Sequence, residues 1–529
     1  MRSTFMGLEI GRRSIITHQA TLDITGHNVA NANTPGYTRQ VASIQTTAPF
    51  AAPSMYNIRP GQFGTGVMVG EIRRLRDEFI DMQIRNESQT SGYWEAMQTT
   101  LDTIEMILNE PGDQGLRGVL DSLWEAWQSL VESPENESVR EVVKERGLAV
   151  ADTFHHMYSQ LTALRQDLNS QVKAKVEEIN SIAQQLADVN RQIKTVIYSG
   201  QTPNDLIDRR DLLLDQLSRL VDAQVIIEPD ETATVLIGGS PLLMGERTVR
   251  LGLNEDTQGM YKVVWDMDPD SHPGTAVTGR PASSNDIEVT ITSGELMGLL
   301  DARGAAENSK LGQNRSEVPR LIEALNELAR AIILDTNEIH RQGYSLNNQT
   351  DVADGTNFFT ITGDPNFDLN DPAFDPNDPT IEWARLISVD PQIIADVKNI
   401  AAAGSPTWDS SATPPVIINF GDGSNALRIA QLKQNRGGTL APFTIDDYWV
   451  TLVSSIGVKA QEATRMVENQ STLLSQLEFK RQETAGVSLD EEMTNMIRFQ
   501  HAYNAAARYI TAIDEAISVI VNNMGLVGR

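Results

Sequence analysis

The sequence predicts a mainly α-helical protein with β-rich inserts. We expect the terminal helices to pair as a coiled-coil-like inner domain, long helices to form a bundle as the body, and the smaller β inserts to project outward. Three observations predict this class. Apolar residues recur at helical spacing at both ends of the chain. One internal stretch keeps that spacing over many turns, and another segment alternates instead with period two between turn residues.

The two ends of the chain carry matching apolar stripes. In the last helix the stripe alternates steps of three and four residues, which is the pattern of a helix that packs along one side. In the first helix the stripe is too narrow to bury in a globular core, so each helix needs another as a partner. We therefore predict an assembly interface made of Leu8, Ile15, Leu22, Val29, Met496, Phe499, Tyr503, Ile510, Ile513, Ile517 and Ile520.

Length, charge and composition limit the classes of function. A chain of 529 residues predicts about two to four domains. The net charge of −28 disfavours a nucleic-acid partner, because neutralising phosphates requires clustered Lys and Arg. The absence of cysteine excludes disulfides and thiolate metal sites. The sequence has neither a signal-peptide pattern nor an apolar stretch of membrane-spanning length, so we expect no membrane insertion and export without a cleaved signal peptide.

A motif follows the first helix at Asn28–Gln40. Asn tolerates left-handed dihedrals, and Pro35-Gly36 ends the helix and turns the chain. This motif resembles the amino-terminal signature that the axial proteins of the bacterial flagellum share. The segment Gly486–Gln500 is similar to their carboxy-terminal signature. Two such ends on one chain make the resemblance specific.

The helices between the two ends extend this resemblance. The longest is predicted over Glu137–Tyr198, about 90 Å at ~1.5 Å per residue, and no compact single domain needs such a helix. The block Asn204–Asp211, which opens the next helix, closely resembles a block of the flagellar hook-associated proteins, the junction proteins between hook and filament. Gly343–Leu346 and Asp354–Phe359 resemble the same family.

Two inserts interrupt the helices. Strands are predicted at Gln224–Ile227, Thr234–Ile237, Thr248–Leu251, Lys262–Trp265, Asp286–Ile291, Asn357–Thr362, Ala384–Val389 and Val416–Phe420. Because helix, insert, helix, insert and helix alternate, the domains are expected to be nested. The predicted domains are residues 1–70 with 480–529 as the terminal helical domain, residues 71–345 with 441–479 as a long-helix bundle that includes the β-rich insert 222–292, and residues 346–440 as a small β-rich outer domain.

No catalytic, cofactor or metal site is predicted. The histidines form no zinc-hydrolase pattern, and the Ser-x-x-Lys match at Ser170–Lys173 lies inside the long helix without its companion motifs. A cluster of carboxylates occurs at Asp364, Asp368, Asp371, Asp375 and Asp378. Ca²⁺ could relieve their repulsion, but the spacing and the intervening prolines favour a solvated acidic loop. We therefore expect no enzymatic activity and no cofactor.

Three functions remain under consideration. The resemblance favours a structural subunit of the flagellum at the hook–filament junction, which assembles helically through its terminal helices. It implies a homo-oligomeric ring, the hook protein and a second junction protein as neighbours, a cytosolic export chaperone on the carboxy-terminal helix, and an extracellular location. The alternatives are a hook or rod protein, or a cell-wall hydrolase on axial-protein termini. Hook proteins have mainly β middles, rod proteins are short, and a hydrolase needs paired carboxylates in a cleft.

Overall fold

The computed structural model describes residues 5–49, 64–266, 287–304, 316–361 and 375–523, apart from gaps at 111, 113–114, 349–352, 354, 377, 379, 406–407, 410–415 and 418–420. Helices make up most of this described part, so the predicted class of a mainly α protein with β inserts is confirmed. Its helices are α1 (Met6–Ala30), α2 (Glu78–Leu108), α3 (Leu116–Glu132), α4 (Glu137–Tyr198), α5 (Asn204–Leu220), α6 (Glu295–Arg303), α7 (Glu317–His340), α8 (Trp383–Leu386), α9 (Pro391–Ala395), α10 (Ser424–Ala430), α11 (Ile445–Ala485) and α12 (Leu489–Asn523).

The described strands are short and lie in five small antiparallel sheets. They are β1 (Gln40–Thr46), β2 (Val67–Arg74), β3 (Ala223–Ile227), β4 (Ala233–Ile237), β5 (Ser240–Met244), β6 (Arg247–Thr248), β7 (Arg250–Glu255), β8 (Tyr261–Asp266), β9 (Phe359–Ile361), β10 (Ile387–Val389), β11 (Trp408–Asp409) and β12 (Val416–Ile417). The largest sheet has the order β3-β4-β5-β6, and β1 pairs with β2, β7 with β8, β9 with β10 and β11 with β12.

The body of the protein is built around α4. This helix has 62 residues, and it packs against α3, α5, α6 and α7 as well as against strands of both inserts. Its buried positions recur every three or four residues along almost the whole length, which is why the sequence pattern located it. Helices α2 and α11 pair beside it. One continuous cluster of buried apolar side chains runs through the described body, from Ala96 to Ala463, and none of its members lies in α1 or α12.

One expectation about local structure is corrected. The segment predicted as one strand over Ala384–Val389 is a helical turn, α8, followed by strand β10. The turn forms because the Ala384 amide donates to Asn326 Oδ1 and Trp383 is buried against the body. Strands β1 and β2 pair into a hairpin with a register shift between Ser43 and Ile44, a pairing that was not predicted from the sequence.

Some predicted elements lie partly outside the described residues. Of the predicted strand that begins at Asp286, residues 287–289 lie beside β8, with Trp265 N donating to Ile287 O. In the predicted strand Val416–Phe420, only Val416 and Ile417 are described. Three members of the acidic cluster, Asp364, Asp368 and Asp371, are also outside the described residues.

Candidate assembly interface

The first and last helices of the chain pair with each other. Helix α1 packs along α12, and residue numbers rise on one helix as they fall on the other, so the two helices are antiparallel. Four contacts mark the pair: Gly7 with Ile513, Gly11 with Ile510, His18 with Phe499, and Asn28 with Glu492. Each terminal helix therefore has a partner within its own chain.

Glycines of α1 allow the two helices to approach closely. A Cβ atom built on Gly11 would lie 2.5 Å from Cγ1 of Ile510, and one built on Gly7 would lie 3.0 Å from Cδ1 of Ile513. The Gly11 contact is shorter than those that real Cβ atoms make, so a side chain there requires a shift, whereas the Gly7 contact requires its neighbour to give by a few tenths of an ångström. The small residues are thus required by the pairing.

The predicted interface residues lie along this pair. All are half-buried except Ile520, which is 44% exposed. The structure brings Ile510, Ile513 and Phe499 against α1 within one chain. The expectation that Ile510, Ile513 and Ile517 need a neighbouring chain for burial remains a prediction.

A second group of apolar side chains on the pair is exposed. Leu489, Met493 and Ile497 follow one another at four-residue spacing on α12, and each is between 51% and 53% exposed. Ile16 of α1 is exposed to a similar extent. Single exposed apolar residues are ordinary, but a row along one helix is a candidate contact surface. The prediction from sequence did not include these residues, because its stripe followed the heptad positions alone.

The side chain of Asn28 joins three parts of the terminal region. Its Oδ1 accepts hydrogen bonds from the Gln40 amide at 3.0 Å and from the Tyr37 hydroxyl at 2.8 Å. Its Nδ2 donates to the Gln40 carbonyl at 2.9 Å and to Glu492 Oε2 at 3.0 Å. Asn28 lies inside helix α1, so its role is this side-chain network and not the left-handed backbone expected from the motif.

The turn after α1 has the conformation that the motif suggested. Helix α1 ends at Ala30, and Gly36 has a φ of +78°. That value lies in the left-handed region, which glycine adopts without the steric cost that a Cβ atom imposes.

Arg39 ties the same region to α12. Its guanidinium contacts Glu492 at 2.7 Å and Glu491 at 2.7 Å, and its backbone amide donates to the Ala485 carbonyl at 2.9 Å. Glu492 is almost fully buried, whereas Glu491 is largely exposed. A buried carboxylate is stable only when it is paired and hydrogen-bonded, and Asn28 and Arg39 supply both.

A buried ionic cluster connects the hairpin β1–β2 to the body. Asp208 and Asp211 of α5 accept hydrogen bonds from Arg74 of β2 at 2.7 and 2.9 Å. Arg210 donates to Asp211 Oδ1 at 2.7 Å, and Arg76 contacts Asp211 at 3.0 Å. These residues belong to or contact the block Asn204–Asp211, which the sequence singled out without indicating that its charges are buried.

Burial and the cationic neighbours act in opposite directions on the two carboxylates. Burial by itself raises the pKa of Asp211, but Arg76, Arg210 and Arg74 outweigh it, so that the pKa falls to about 2. Burial dominates for Asp208, whose pKa is raised despite the hydrogen bonds from Arg74 and Thr38. Asp211 is therefore the anion around which the guanidinium groups gather.

The described residues contain little that suggests small-molecule chemistry. Within them, no group of three or more His, Asp or Glu side chains is placed to hold a metal ion. Asp378 of the acidic cluster accepts hydrogen bonds from the backbone and hydroxyl of Thr380, as in an ordinary loop. Among the described helices, none is both long and apolar enough to cross a membrane.

Comparison with known families matches three parts of the chain. Residues 101–359 match the flagellar hook-associated protein FlgK helical domain. Residues 480–524 match the C-terminal model of the flagellar basal body rod FlgEFG proteins, and residues 8–38 match the flagella basal body rod protein model. The two helices that pair in the structure thus correspond to two separate models of flagellar proteins.

Individual proteins are similar over nearly the whole chain. The flagellar hook-associated protein 1 of Bacillus subtilis (strain 168) is 35% identical over 100% of both chains. That of Escherichia coli (strain K12) is 25% identical and covers 95% of this chain and 97% of its own. The flagellar hook junction protein FlgK from Burkholderia pseudomallei has a similar fold, with a TM-score of 0.56 and 17% identity over 77% of this chain and 100% of that chain. The chain belongs to the flagellar hook-associated protein 1 family.

Proposed function

We propose that this chain is a structural subunit of the flagellum at the junction between hook and filament, and that it assembles helically through its paired terminal helices. Family membership supports the junction role. The observation that carries the assembly mechanism is the α1–α12 pair, which leaves a row of large apolar side chains exposed at Leu489, Met493 and Ile497. These side chains lie outside the buried core of the body.

The exposed row provides free energy for association between subunits. Fully burying a Leu, Ile or Met side chain stabilises by about 1.5–3 kcal/mol. A ring repeats each contact at every subunit, so even partial burial of this row and of Ile16 favours a closed assembly. The predicted interface residues, among them Ile513 and Ile517, would then lie between the two helices of one chain and the helices of its neighbours.

The domain division supports the same mechanism. We propose that residues 1–70 with 480–529 act as the terminal domain, 71–345 with 441–479 as the bundle, and 346–440 as the outer domain. The pairing of α1 with α12 and the absence of terminal residues from the described apolar core favour this division. The insert 346–440 packs on the body through Trp383, Ile387 and Ile400, all buried.

The neighbours of the subunit follow from the junction role. One face of the ring would contact the hook protein and the other a second junction protein, so the two interfaces differ.

We further propose that a cytosolic chaperone covers α12 before export, because the exposed row would otherwise promote aggregation. The subunit would act in the flagellum, outside the cell.

The alternatives have less support. A hook or rod protein shares the terminal motifs, but the model of the hook-associated helical domain matches the body over 101–359. Membership of a family of structural flagellar proteins gives no support to the function of a cell-wall hydrolase.

Electron microscopy of cells that lack the protein distinguishes the three functions. Hooks without filaments are the result expected for a junction subunit. Missing hooks would instead indicate a hook or rod protein, and normal flagella would contradict a structural role at the junction. Restoring the gene should restore filaments, which controls for effects on neighbouring genes.

A further inference from the structure

Gln40, the first residue of β1, is hydrogen-bonded on two sides. Its backbone amide and carbonyl both bond to the side chain of Asn28 in α1, at 3.0 and 2.9 Å. Its side-chain Nε2 donates to Asp205 Oδ1 at 2.8 Å, and its Oε1 accepts from Asn204 Nδ2 at 3.2 Å. Gln40 is 7% exposed, so water competes little for these bonds. One residue thus contacts both helix α1 and helix α5 of the body.

The geometry of the hairpin makes this double contact possible. Leu75 N donates to Arg39 O, so Gln40 and its partner Arg74 form the next, non-hydrogen-bonded pair of the ladder. The backbone groups of Gln40 therefore point away from β2, and the Asn28 amide satisfies both of them. Asn204 also donates to the Ile72 carbonyl at 3.1 Å on the far strand. Asn28 and Asn204 hold the hairpin from two directions.

Other bonds also attach the hairpin to the body. Thr38 N donates to Asp208, and Arg74 donates to Asp208 and Asp211. The hairpin region in turn contacts the terminal helices at other points: Thr17 Oγ1 of α1 donates to Val67 O of β2 at 3.2 Å, and Arg39 contacts Glu492 of α12 at 2.7 Å. Gln40 differs from these residues in that its own hydrogen bonds reach α1 on one side and α5 on the other.

We propose that Gln40 is a positioning residue that fixes the direction of the α1–α12 pair relative to the helical body. The direction matters because α12, with 35 residues, is about 50 Å long at ~1.5 Å per residue. A rotation of about 10° at its base would move the far end by roughly 9 Å over that length. Subunits with variable direction could not repeat one contact around a ring. The consequence for assembly rests on the proposed function, whereas the coupling itself belongs to the free subunit.

The test measures a distance in the free, full-length subunit. The chain has no native cysteine, so Ala512→Cys and Gln184→Cys, both at exposed helical positions, can carry a pair of spin labels. Pulsed electron spin resonance then gives the distribution of distances between α12 and α4. The variants are Gln40→Leu, which removes the amide, and Gln40→Glu, which places a carboxylate against Asp205. Combining Gln40→Glu with Asp205→Asn restores the hydrogen bond with its direction reversed, because the new amide at position 205 can donate to the new carboxylate at position 40.

We expect the distribution to broaden at least twofold in Gln40→Leu and in Gln40→Glu, and to narrow again in the double variant. Gln45→Leu, at an exposed position of the same strand, should leave the width unchanged and serves as the matched control. Circular dichroism and the melting temperature of the body should stay as in the parent. Unchanged widths in both single variants would overturn the proposal.

The double variant keeps the test decisive. If the single variants lose helicity in the terminal region, the double variant must regain both helicity and the narrow distribution; a double variant as broad as Gln40→Glu also overturns the proposal. Assembly is scored separately. If the parent chain itself failed to restore filaments, the proposed function would fail while the distances would still decide the role of Gln40.

Discussion

Asn28 in the first helix and Glu492 in the last are 464 positions apart in the chain, and Asn28 Nδ2 donates a hydrogen bond of 3.0 Å to Glu492 Oε2. Both side chains are almost fully buried. The bond fixes the register of α1 against α12 at the end nearest the body. Because Glu492 also contacts Arg39, the side chains of Asn28, Glu492 and Arg39 form one polar cluster at a helix pair that otherwise carries apolar contacts.

Removing the buried carboxylate should loosen the terminal pair. We expect Glu492→Ala to lower the opening free energy of the α12 amides by about 2–3 kcal/mol, because Asn28 and Arg39 lose a charged acceptor. Glu491→Ala is the matched control: it removes the exposed partner of the same Arg39 and should cost less than about 1 kcal/mol. Amide hydrogen exchange of the full chain measures both. Equal effects of the two substitutions would contradict the role assigned to Glu492.

The close approach of the helices can be tested with a single methyl group. Gly11→Ala should cost about 1–3 kcal/mol in the stability of the pair, because the new Cβ would meet Ile510. Gly26→Ala lies in the same helix with nothing within 4 Å of its Cβ, so it should stabilise α1 by about 1 kcal/mol through helix propensity. Hydrogen exchange across α1 distinguishes the two. A stabilising Gly11→Ala would show that the helices do not pack as described.

The ionic cluster offers a comparison between adjacent arginines. Arg210 is 3% exposed and bonded to Asp211, whereas Arg209 is exposed. We expect Arg210→Ala to lower the free energy of unfolding by about 3–5 kcal/mol, since it leaves a buried carboxylate with fewer partners. Arg209→Ala should change it by less than about 0.5 kcal/mol. Urea denaturation followed by circular dichroism provides both values, and similar midpoints would refute the importance of the cluster.

His340 makes the stability of the body dependent on pH. Its Nδ1 donates to the Thr356 carbonyl at 2.8 Å and its Nε2 accepts from the Ala401 amide at 2.9 Å, so the ring is neutral. Burial lowers its pKa to about 4. The unfolded chain binds the proton more readily, because its histidine has a pKa of about 6.5. The stabilisation that the buried neutral ring gives to the folded body is therefore complete above about pH 6.5 and is lost as the pH falls toward 4.

The expected loss is about 1.4 kcal/mol per pH unit in that window. Urea denaturation between pH 7 and 4 should show it in the parent chain, and His340→Gln should remove this part of the pH dependence while lowering stability at pH 7. His156→Gln, at an exposed position of α4, is the control and should follow the parent. The explanation would be wrong if the parent and His340→Gln had the same slope.

The long helices were predictable because their causes are local. The predicted bounds of Glu137–Tyr198 are those of α4: its apolar positions repeat without a break, and Asn136 caps the first turn by accepting from Ser138 N. The helical spacing of apolar residues predicted the last helix, α12, for the same reason. The pairing of the two ends also followed from stripes that were too narrow to be buried alone.

The polar connections could not be predicted, because their partners are distant in the sequence. Asn28 was assigned to a turn since Asn is common there, and only the fold shows that it faces Gln40 and Glu492. Charged residues such as Arg210 are usually at the surface, so nothing in the block Asn204–Asp211 indicated burial. The exposed row at Met493 and Ile497 was missed for a related reason: it lies beside the heptad stripe.

The central claim, that the terminal pair is the assembly interface, is tested most directly by placing a charge in the exposed row. Ile497→Asp should leave the subunit soluble with an unchanged melting temperature, because Ile497 is 53% exposed in the free chain. Burying that carboxylate between subunits without a charged partner would cost several kcal/mol. Gln500→Asp introduces the same charge at an exposed polar position of α12 and should assemble normally. Electron microscopy of cells carrying each variant as their sole copy should show hooks without filaments for Ile497→Asp and complete flagella for Gln500→Asp; complete flagella with both variants would contradict the claim.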